Sequence, residues 1–353
     1  MSKAIKAVVL GASGYVGGEL LRLIAGHPNF ELVAAVSDSQ AGEPVASTFA
    51  HLGQAFENTA FVARDRWFEN IPSGSRVAYF SAAPHGAAAA SIAAALKVAK
   101  AKEIALSVVD SSADFRYARQ SDWESVYGAT HGAPELLDQF SCAVPEHLPE
   151  AATPHVGHPG CFATATLLAT VPLIRSGLTE AEVFVTGITG STGSGKSPSS
   201  GTHHPERNSN LYAYKPLCHR HSPEIASLST AASGRETTVH FVPHSGPFSR
   251  GIHVTVQAKT TATVNAADLR RVFSETYEDA PFVQVLETMP KLKNVVASNM
   301  CQLSVASDGT SVVVTAVIDN LVKGAAGGAV QWMNRLMNLP ETAGLNAAAP
   351  GWT

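Results

Sequence analysis

Ala4-Ile5-Lys6-Ala7-Val8-Val9-Leu10 runs straight into Gly11-Ala12-Ser13-Gly14-Tyr15-Val16-Gly17. The first seven residues are mostly apolar and rich in β-branched side chains, as in a buried strand. A GxxGxxG pattern follows. A helix is expected over Glu19–Ala25, where leucines recur at helical spacing, and Gly26-His27-Pro28-Asn29 stops it. Glu31–Val36 reads as the next strand, which completes a βαβ unit. In that context Gly11, Ser13, Gly14, Tyr15, Val16 and Gly17 are candidates for binding a dinucleotide. Glycines admit a pyrophosphate to the backbone, and the helix start supplies aligned N–H donors. The competing reading is a tight strand-to-helix turn with no ligand.

Further strands are expected at Arg76–Phe80 and Ala105–Asp110, with a helix from about His85 to Ala101 between them. This alternation implies a parallel sheet covered on both faces. Beyond Cys161 the strands crowd together: Val183–Thr189, Thr237–Val242, Ile252–Lys259, Val295–Val305 and Ser311–Ile318, with a helix at Ala266–Glu278 and a last one at Lys323–Met337. The expected class is therefore α/β. A Rossmann-type parallel-sheet nucleotide-binding domain covers residues 1–155, completed by the C-terminal helix in 323–353. Residues 156–322 form an α+β catalytic and oligomerisation domain with a mixed or antiparallel sheet. Its open sheet could pair with a copy of itself, as homodimer or homotetramer.

At 353 residues the chain has room for two cores. A net charge of −4 gives no reason to expect nucleic acid or an anionic membrane as partner. The four cysteines, Cys142, Cys161, Cys218 and Cys301, are too widely spaced for a zinc ribbon or a secreted disulfide scaffold. No metal is expected. Met1–Ile5 shows no signal peptide, and the Ala-rich stretch from Gly86 to Leu96 is too short for a membrane span. The expectation is a cytoplasmic enzyme.

Gly157-His158-Pro159-Gly160-Cys161-Phe162-Ala163-Thr164 places Cys161 where a turn gives way to an expected helix. The positive field of a helix start favours the nucleophilic thiolate. The bland alternative is a small buried apolar residue. Gly190-Ser191-Thr192-Gly193-Ser194-Gly195-Lys196-Ser197 matches a phosphate loop in form, but Pro198, Gly201 and Pro205 oppose the helix that a working P-loop needs. Nucleotide hydrolysis is thus a distant alternative, and an anion cradle the nearer one. Cys218-His219-Arg220-His221-Ser222-Pro223-Glu224-Ile225 offers a histidine to partner Cys161 as acid or base. A metal site and a polar surface loop are the other readings.

The Gly11–Leu20 loop, Pro159-Gly160-Cys161-Phe162-Ala163-Thr164-Ala165, His219–Ile225, Ile318-Asp319-Asn320-Leu321-Val322-Lys323-Gly324-Ala325-Ala326-Gly327 and Pro340–Leu345 together resemble the N-acetyl-γ-glutamyl-phosphate reductase family of arginine biosynthesis. The resemblance runs nearly the length of the chain. It implies a two-domain reductase related to aspartate-semialdehyde dehydrogenase, which reduces an acyl phosphate through a thioester. It further implies Cys161 as nucleophile, His219 as acid/base, an NADP site at the glycine loop, and Asn320 beside the nicotinamide. Ser191, Ser194, Lys196, Arg220, His221, Glu224 and Arg250 become candidates for the substrate phosphate and carboxylate.

Three positions depart from the family pattern: His158 stands for Asn, Lys196 for Arg, and Asp38 for a basic residue. In Ser37-Asp38-Ser39, Asp38 suits the 2′-hydroxyl of NAD, whereas Ser37 and Ser39 can bond a 2′-phosphate, and no nearby arginine is evident in the sequence. NADPH is the expected cofactor, with NAD left open by Asp38. Finally, His203-His204-Pro205-Glu206-Arg207 resembles a related branch that reduces aminoadipyl or glutamyl phosphates held on a small acidic carrier protein. A carrier-presented substrate is therefore the alternative to a free one.

Overall fold

The computed structural model describes residues 4–352. The chain divides into two compact units, one of residues 4–142, 150–158 and 325–346, the other of 143–149, 159–324 and 347–352.

In the first unit the strands are β1 (Ile5–Leu10), β2 (Phe30–Val36), β3 (Phe61–Val62), β4 (Arg76–Ser81), β5 (Ala105–Asp110), β6 (Phe140–Cys142) and β7 (His155–Gly157). They form one sheet in the order β3-β2-β1-β4-β5-β7-β6, and every pairing is parallel. Ala7, Val8 and Val9 are fully buried in succession, because helices cover both faces of β1. One face carries Val8, Leu10, Ala34, Val36, Val77 and Tyr79, packed against the helix Ala88–Ala101 through Ala88, Ile92 and Ala95. The helix α1 (Tyr15–Ala25) packs on β1 and β2, and the C-terminal helix Gly327–Leu336 packs on α1 and β5. Strand order reverses between β1 and β4, and α/β folds bind ligands at such a reversal, beyond the carboxyl ends of the strands.

The helix α1 starts at Tyr15, four residues before the expected Glu19. Gly17 and Gly18, read as turn residues, lie inside it and are buried. The turn is therefore only Gly11–Gly14, as a close approach of backbone to ligand requires.

The second unit contains a helix called here the nucleophile helix after the role expected of Cys161 (Cys161–Arg175), then β8 (Glu182–Thr189), β9 (Tyr212–Ala213), the helix His221–Ser233, β10 (Thr238–Ser245), β11 (Ile252–Val264), the helix Ala266–Thr276, β12 (Val283–Val285), β13 (Cys301–Ser307) and β14 (Gly309–Ile318). Its sheet runs β12-β13-β14-β11-β8-β10-β9 and is mixed: β8 and β10 are parallel, and β11 is antiparallel to both β8 and β14. One face presents Val183, Val185, Phe241, Val254, Val256, Leu303 and Val314 to Phe162, Leu167, Leu168 and Val171 of the nucleophile helix.

Two expectations need correction. The strand expected from Val295 begins only at Cys301. Before it the chain turns, with Ala297 in the left-handed region (φ 63°) and its N–H bonded to the Asp319 carboxylate at 2.7 Å. The helix expected from Lys323 begins at Gly327, preceded by a π-helical turn at Val322–Ala326. Among the described residues no helix is long and apolar enough to cross a membrane.

Candidate active site

Gly160 caps the nucleophile helix and Cys161 is its first residue. A sulfur there lies in the positive field of the helix start, which favours thiolate. Two buried contacts fix that start. The Gly160 N–H donates to Glu224 Oε1 at 2.7 Å, and Gly160 O accepts the Thr164 N–H at 2.7 Å. Glu224 is fully buried in the first turn of the helix His221–Ser233, which packs along the nucleophile helix.

Cys161 opens into a cavity of about 430 Å³. Thr189 and Ser245, paired at the carboxyl ends of β8 and β10, form part of its wall. His219, Arg220, His221, Tyr214, Lys215 and Ser194 form much of the rest. His219 is 9% exposed, with ring contacts to Phe162, Tyr214, His221 and Phe241. Its Nδ1 accepts the His221 N–H at 3.2 Å, so the neutral ring carries its proton on Nε2. Burial, reinforced by the charges of Arg220 and Lys215, holds its pKa down at about 4. His219 is thus a neutral N–H donor at ordinary pH. Burial, with the Cys161 sulfur nearby, pushes the Tyr214 hydroxyl above its usual range.

The π-helical turn also serves Cys161. A Cβ added to Gly324 would lie 2.7 Å from Cys161 Cβ, so only glycine fits there. Next to it, the buried Lys323 ammonium pairs with buried Glu146 at 2.5 Å. Cys301 contrasts with Cys161: burial pushes its thiol up to about 12, which leaves it unreactive.

The remaining substrate candidates separate. Ser194, Arg220 and His221 line the cavity, whereas Ser191 and Lys196 do not. No helix starts at Lys196-Ser197; a 3₁₀ turn precedes it at Ser191–Ser194, and only the 3₁₀ turn Ser200–Thr202 and the one-turn helix His204–Arg207 come after, so the arrangement a P-loop needs is missing. Glu224 holds Gly160 rather than facing the cavity. Arg250 grips Asp319 with two bonds of 3.0 and 3.1 Å, and Asp319 also accepts the N–H groups of Ala297, Leu321 and Val322. The guanidinium thus neutralises a buried carboxylate. Asn320 accepts the Gly251 N–H at 2.7 Å and donates to Thr192 Oγ1 at 3.0 Å, which ties the turn to the end of β14. Lys215 escaped the sequence reading. It sits four residues before His219, in a left-handed conformation (φ 46°), and no spacing rule singles it out.

In the first unit the glycine loop has the shape a dinucleotide needs. Gly11 has φ 73°, and an added Cβ would lie 2.5 Å from Ala82 O. At Gly14 the nearest atom to such a Cβ is 3.6 Å away, which leaves the space a phosphate needs above the start of α1. Tyr15 and Val16 begin that helix. Ser13 Oγ lies 2.8 Å from Ser37 Oγ, and Ser37 Oγ lies 3.4 Å from Ser39 Oγ, so a chain of hydroxyls links the loop to the end of β2. Arg116 also escaped notice. It donates to His158 O (3.0 Å) and Ser111 O (3.1 Å), while the His158 N–H donates to Asp110 O, so the backbone leading toward Cys161 is held at His158.

Comparison with known proteins agrees with this architecture. Residues 6–154 match the family model described as semialdehyde dehydrogenase, NAD binding domain, and residues 161–320 match semialdehyde dehydrogenase, dimerisation domain. An N-acetyl-gamma-glutamyl-phosphate reductase of Methanosarcina barkeri is 40% identical over 97% of this chain and 98% of its own. One from Pseudomonas fluorescens is 38% identical over 98% of each. Among solved structures, aspartate semialdehyde dehydrogenase II of Vibrio cholerae matches with a TM-score of 0.69 at 17% identity, covering 96% of this chain and 99% of that one, a likeness of fold. With both domains matched in order and relatives aligned end to end, the chain belongs to the N-acetyl-γ-glutamyl-phosphate reductase family of the semialdehyde dehydrogenases.

Proposed function

We propose that this protein reduces N-acetyl-γ-glutamyl phosphate to N-acetylglutamate semialdehyde and phosphate with NADPH, a step of arginine biosynthesis, through a thioester on Cys161. The observation that carries the reading is the shared cavity of Cys161, at a helix start, and the neutral donor His219. The Cys161 thiolate attacks the acyl carbon. An S–C bond forms, the C–O bond to phosphate breaks, and phosphate leaves with the electron pair and takes one proton from solvent. The 3₁₀ turn at Ser194, the Thr189 and Ser245 hydroxyls and the Arg220 charge favour that anion. When bound, the nicotinamide supplies the hydride that reduces the thioester carbon. His219 Nε2–H then donates to the oxygen that becomes negative, and the oxyanion collapses to aldehyde as the C–S bond breaks and thiolate returns. An imidazole held neutral by burial suits that donor role.

Several features support the finer points. The family's dimerisation domain, together with half-exposed Phe184 stacked on His240 on the outer sheet face, supports a homo-oligomer. The reductive chemistry of a free thiolate suits the cytoplasm. The names of the relatives favour a free acyl phosphate over one presented by a carrier protein.

The test is the reverse reaction, phosphate-dependent oxidation of N-acetylglutamate semialdehyde with NADP, beside a carrier-tethered aminoadipate semialdehyde. Turnover of the free aldehyde at least about tenfold above the tethered one is expected. Preference for the tethered aldehyde would move the protein to the carrier-linked branch.

A further inference from the structure

Asp38 looks in sequence like a residue that reads the 2′-hydroxyl of NAD, at the end of the second strand of a dinucleotide fold. The structure gives it other work. Both carboxylate oxygens are taken by one residue, Arg64: Oδ1 accepts the Arg64 backbone N–H at 2.8 Å, and Oδ2 accepts Nε at 2.5 Å. A carboxylate bound in this way is no longer an isolated negative charge at the end of β2.

Arg64 reaches Asp38 because β3 pairs with the end of β2. Ala35 and Val36 align with Phe61 and Val62, and the Ser37 N–H bonds to Val62 O at 2.9 Å. Two residues beyond β3, the guanidinium therefore stands beside Ser37-Asp38-Ser39. The Arg64 side chain is 63% exposed, and its bond to Asp38 uses Nε, so the Nη donors are available to a ligand. Ser37 and Ser39 add hydroxyls, and Ser13 ties them to the glycine loop. A planar guanidinium with hydroxyls alongside is a phosphate-recognising set.

We propose that Arg64, with Ser37 and Ser39, reads the 2′-phosphate of NADPH, and that Asp38 is a positioning residue that aims Arg64. This rests on the dinucleotide part of the function proposed above, and makes the cofactor choice specific. A bare carboxylate at position 38 would repel a phosphate dianion, whereas the Asp38–Arg64 pair cancels that charge and holds the guanidinium in place.

The experiment is direct binding of NADPH and NADH to the whole protein, followed by nicotinamide fluorescence with no acyl substrate. Wild type is expected to bind NADPH at least about tenfold more tightly than NADH. Arg64→Met should weaken NADPH by about 10- to 100-fold and change NADH by less than about threefold. Arg64→Lys, which keeps the charge and loses the fork, should fall between. Asp38→Asn should leave NADH binding within about threefold. The inference is overturned if Arg64→Met weakens both dinucleotides equally, which marks a structural role. It is also overturned if wild type favours NADH and Asp38→Asn weakens that dinucleotide, which marks Asp38 as the diol reader. Either result leaves the reductase reading standing. Failure of wild type to bind either dinucleotide would instead remove the cofactor part of that reading, and this inference with it.

Discussion

Cys161 heads a helix beside a cavity, whereas Cys301 begins β13 and has no exposure. In the proposed function the same thiol is nucleophilic in one place and inert in the other, and the difference lies in the surroundings. Lys215 extends this reasoning to specificity. The reacting carbon of the substrate must sit at Cys161, and its α-carboxylate is four carbon–carbon bonds away, about 5 Å when extended. Lys215 is exposed where it borders the cavity, and no acidic residue is among the side chains lining it, so the ammonium suits that distal anion. Lys215→Met should raise KM for N-acetylglutamate semialdehyde about tenfold and leave KM for phosphate nearly unchanged. Steady-state kinetics in the oxidative direction would show it, and a rise confined to the phosphate KM would assign Lys215 to the leaving group.

At the scale of elements, much was legible. The βαβ unit, β5 and β8 lie close to where periodicity puts them, because their apolar runs are buried on both faces or alternate cleanly. The helix His221–Ser233 was not foreseen. His219–Ile225 reads as a polar, catalytic-looking stretch, and its helical role, to lay Glu224 under Gly160, depends on a partner 64 residues away. The π-helical turn is hidden for a similar reason: its register is set by the Gly324–Cys161 approach and the Lys323–Glu146 pair, both long-range. Arg250 misled in the opposite direction. An arginine in a suggestive motif is bound to Asp319, a carboxylate that only folding brings to it.

Across the whole molecule, buried titratable groups set the response to acid. Burial holds His147 at about 3, opposed in smaller measure by Glu146 and reinforced by the charges of Arg175 and Lys323, and holds His155 and His219 at about 4. All three are neutral in the folded protein where the unfolded chain, at 6.5, takes up protons. Their contribution is complete above about pH 6.5 and is lost as pH falls toward the folded values. Asp110 works against them, since burial raises it to about 6 and folding protects its proton. His27 and His253, also held down by burial, act in the same sense as the three, so unfolding takes up protons on balance and stability should fall by about 3 kcal/mol or more per pH unit between about pH 6 and 4.5. Urea unfolding at several pH values would measure the slope, and a flat profile would contradict these buried neutral imidazoles.

The chemistry itself is most directly tested without phosphate. Mixing enzyme, NADP and N-acetylglutamate semialdehyde should give a burst of NADPH equal to one per active subunit, then a stall until phosphate is added, with the acyl group recovered by mass spectrometry on the peptide carrying Cys161. Cys161→Ser should abolish the burst and still bind NADPH. Steady phosphate-dependent turnover with no burst, or an acyl group recovered on another residue, would contradict a thioester at Cys161.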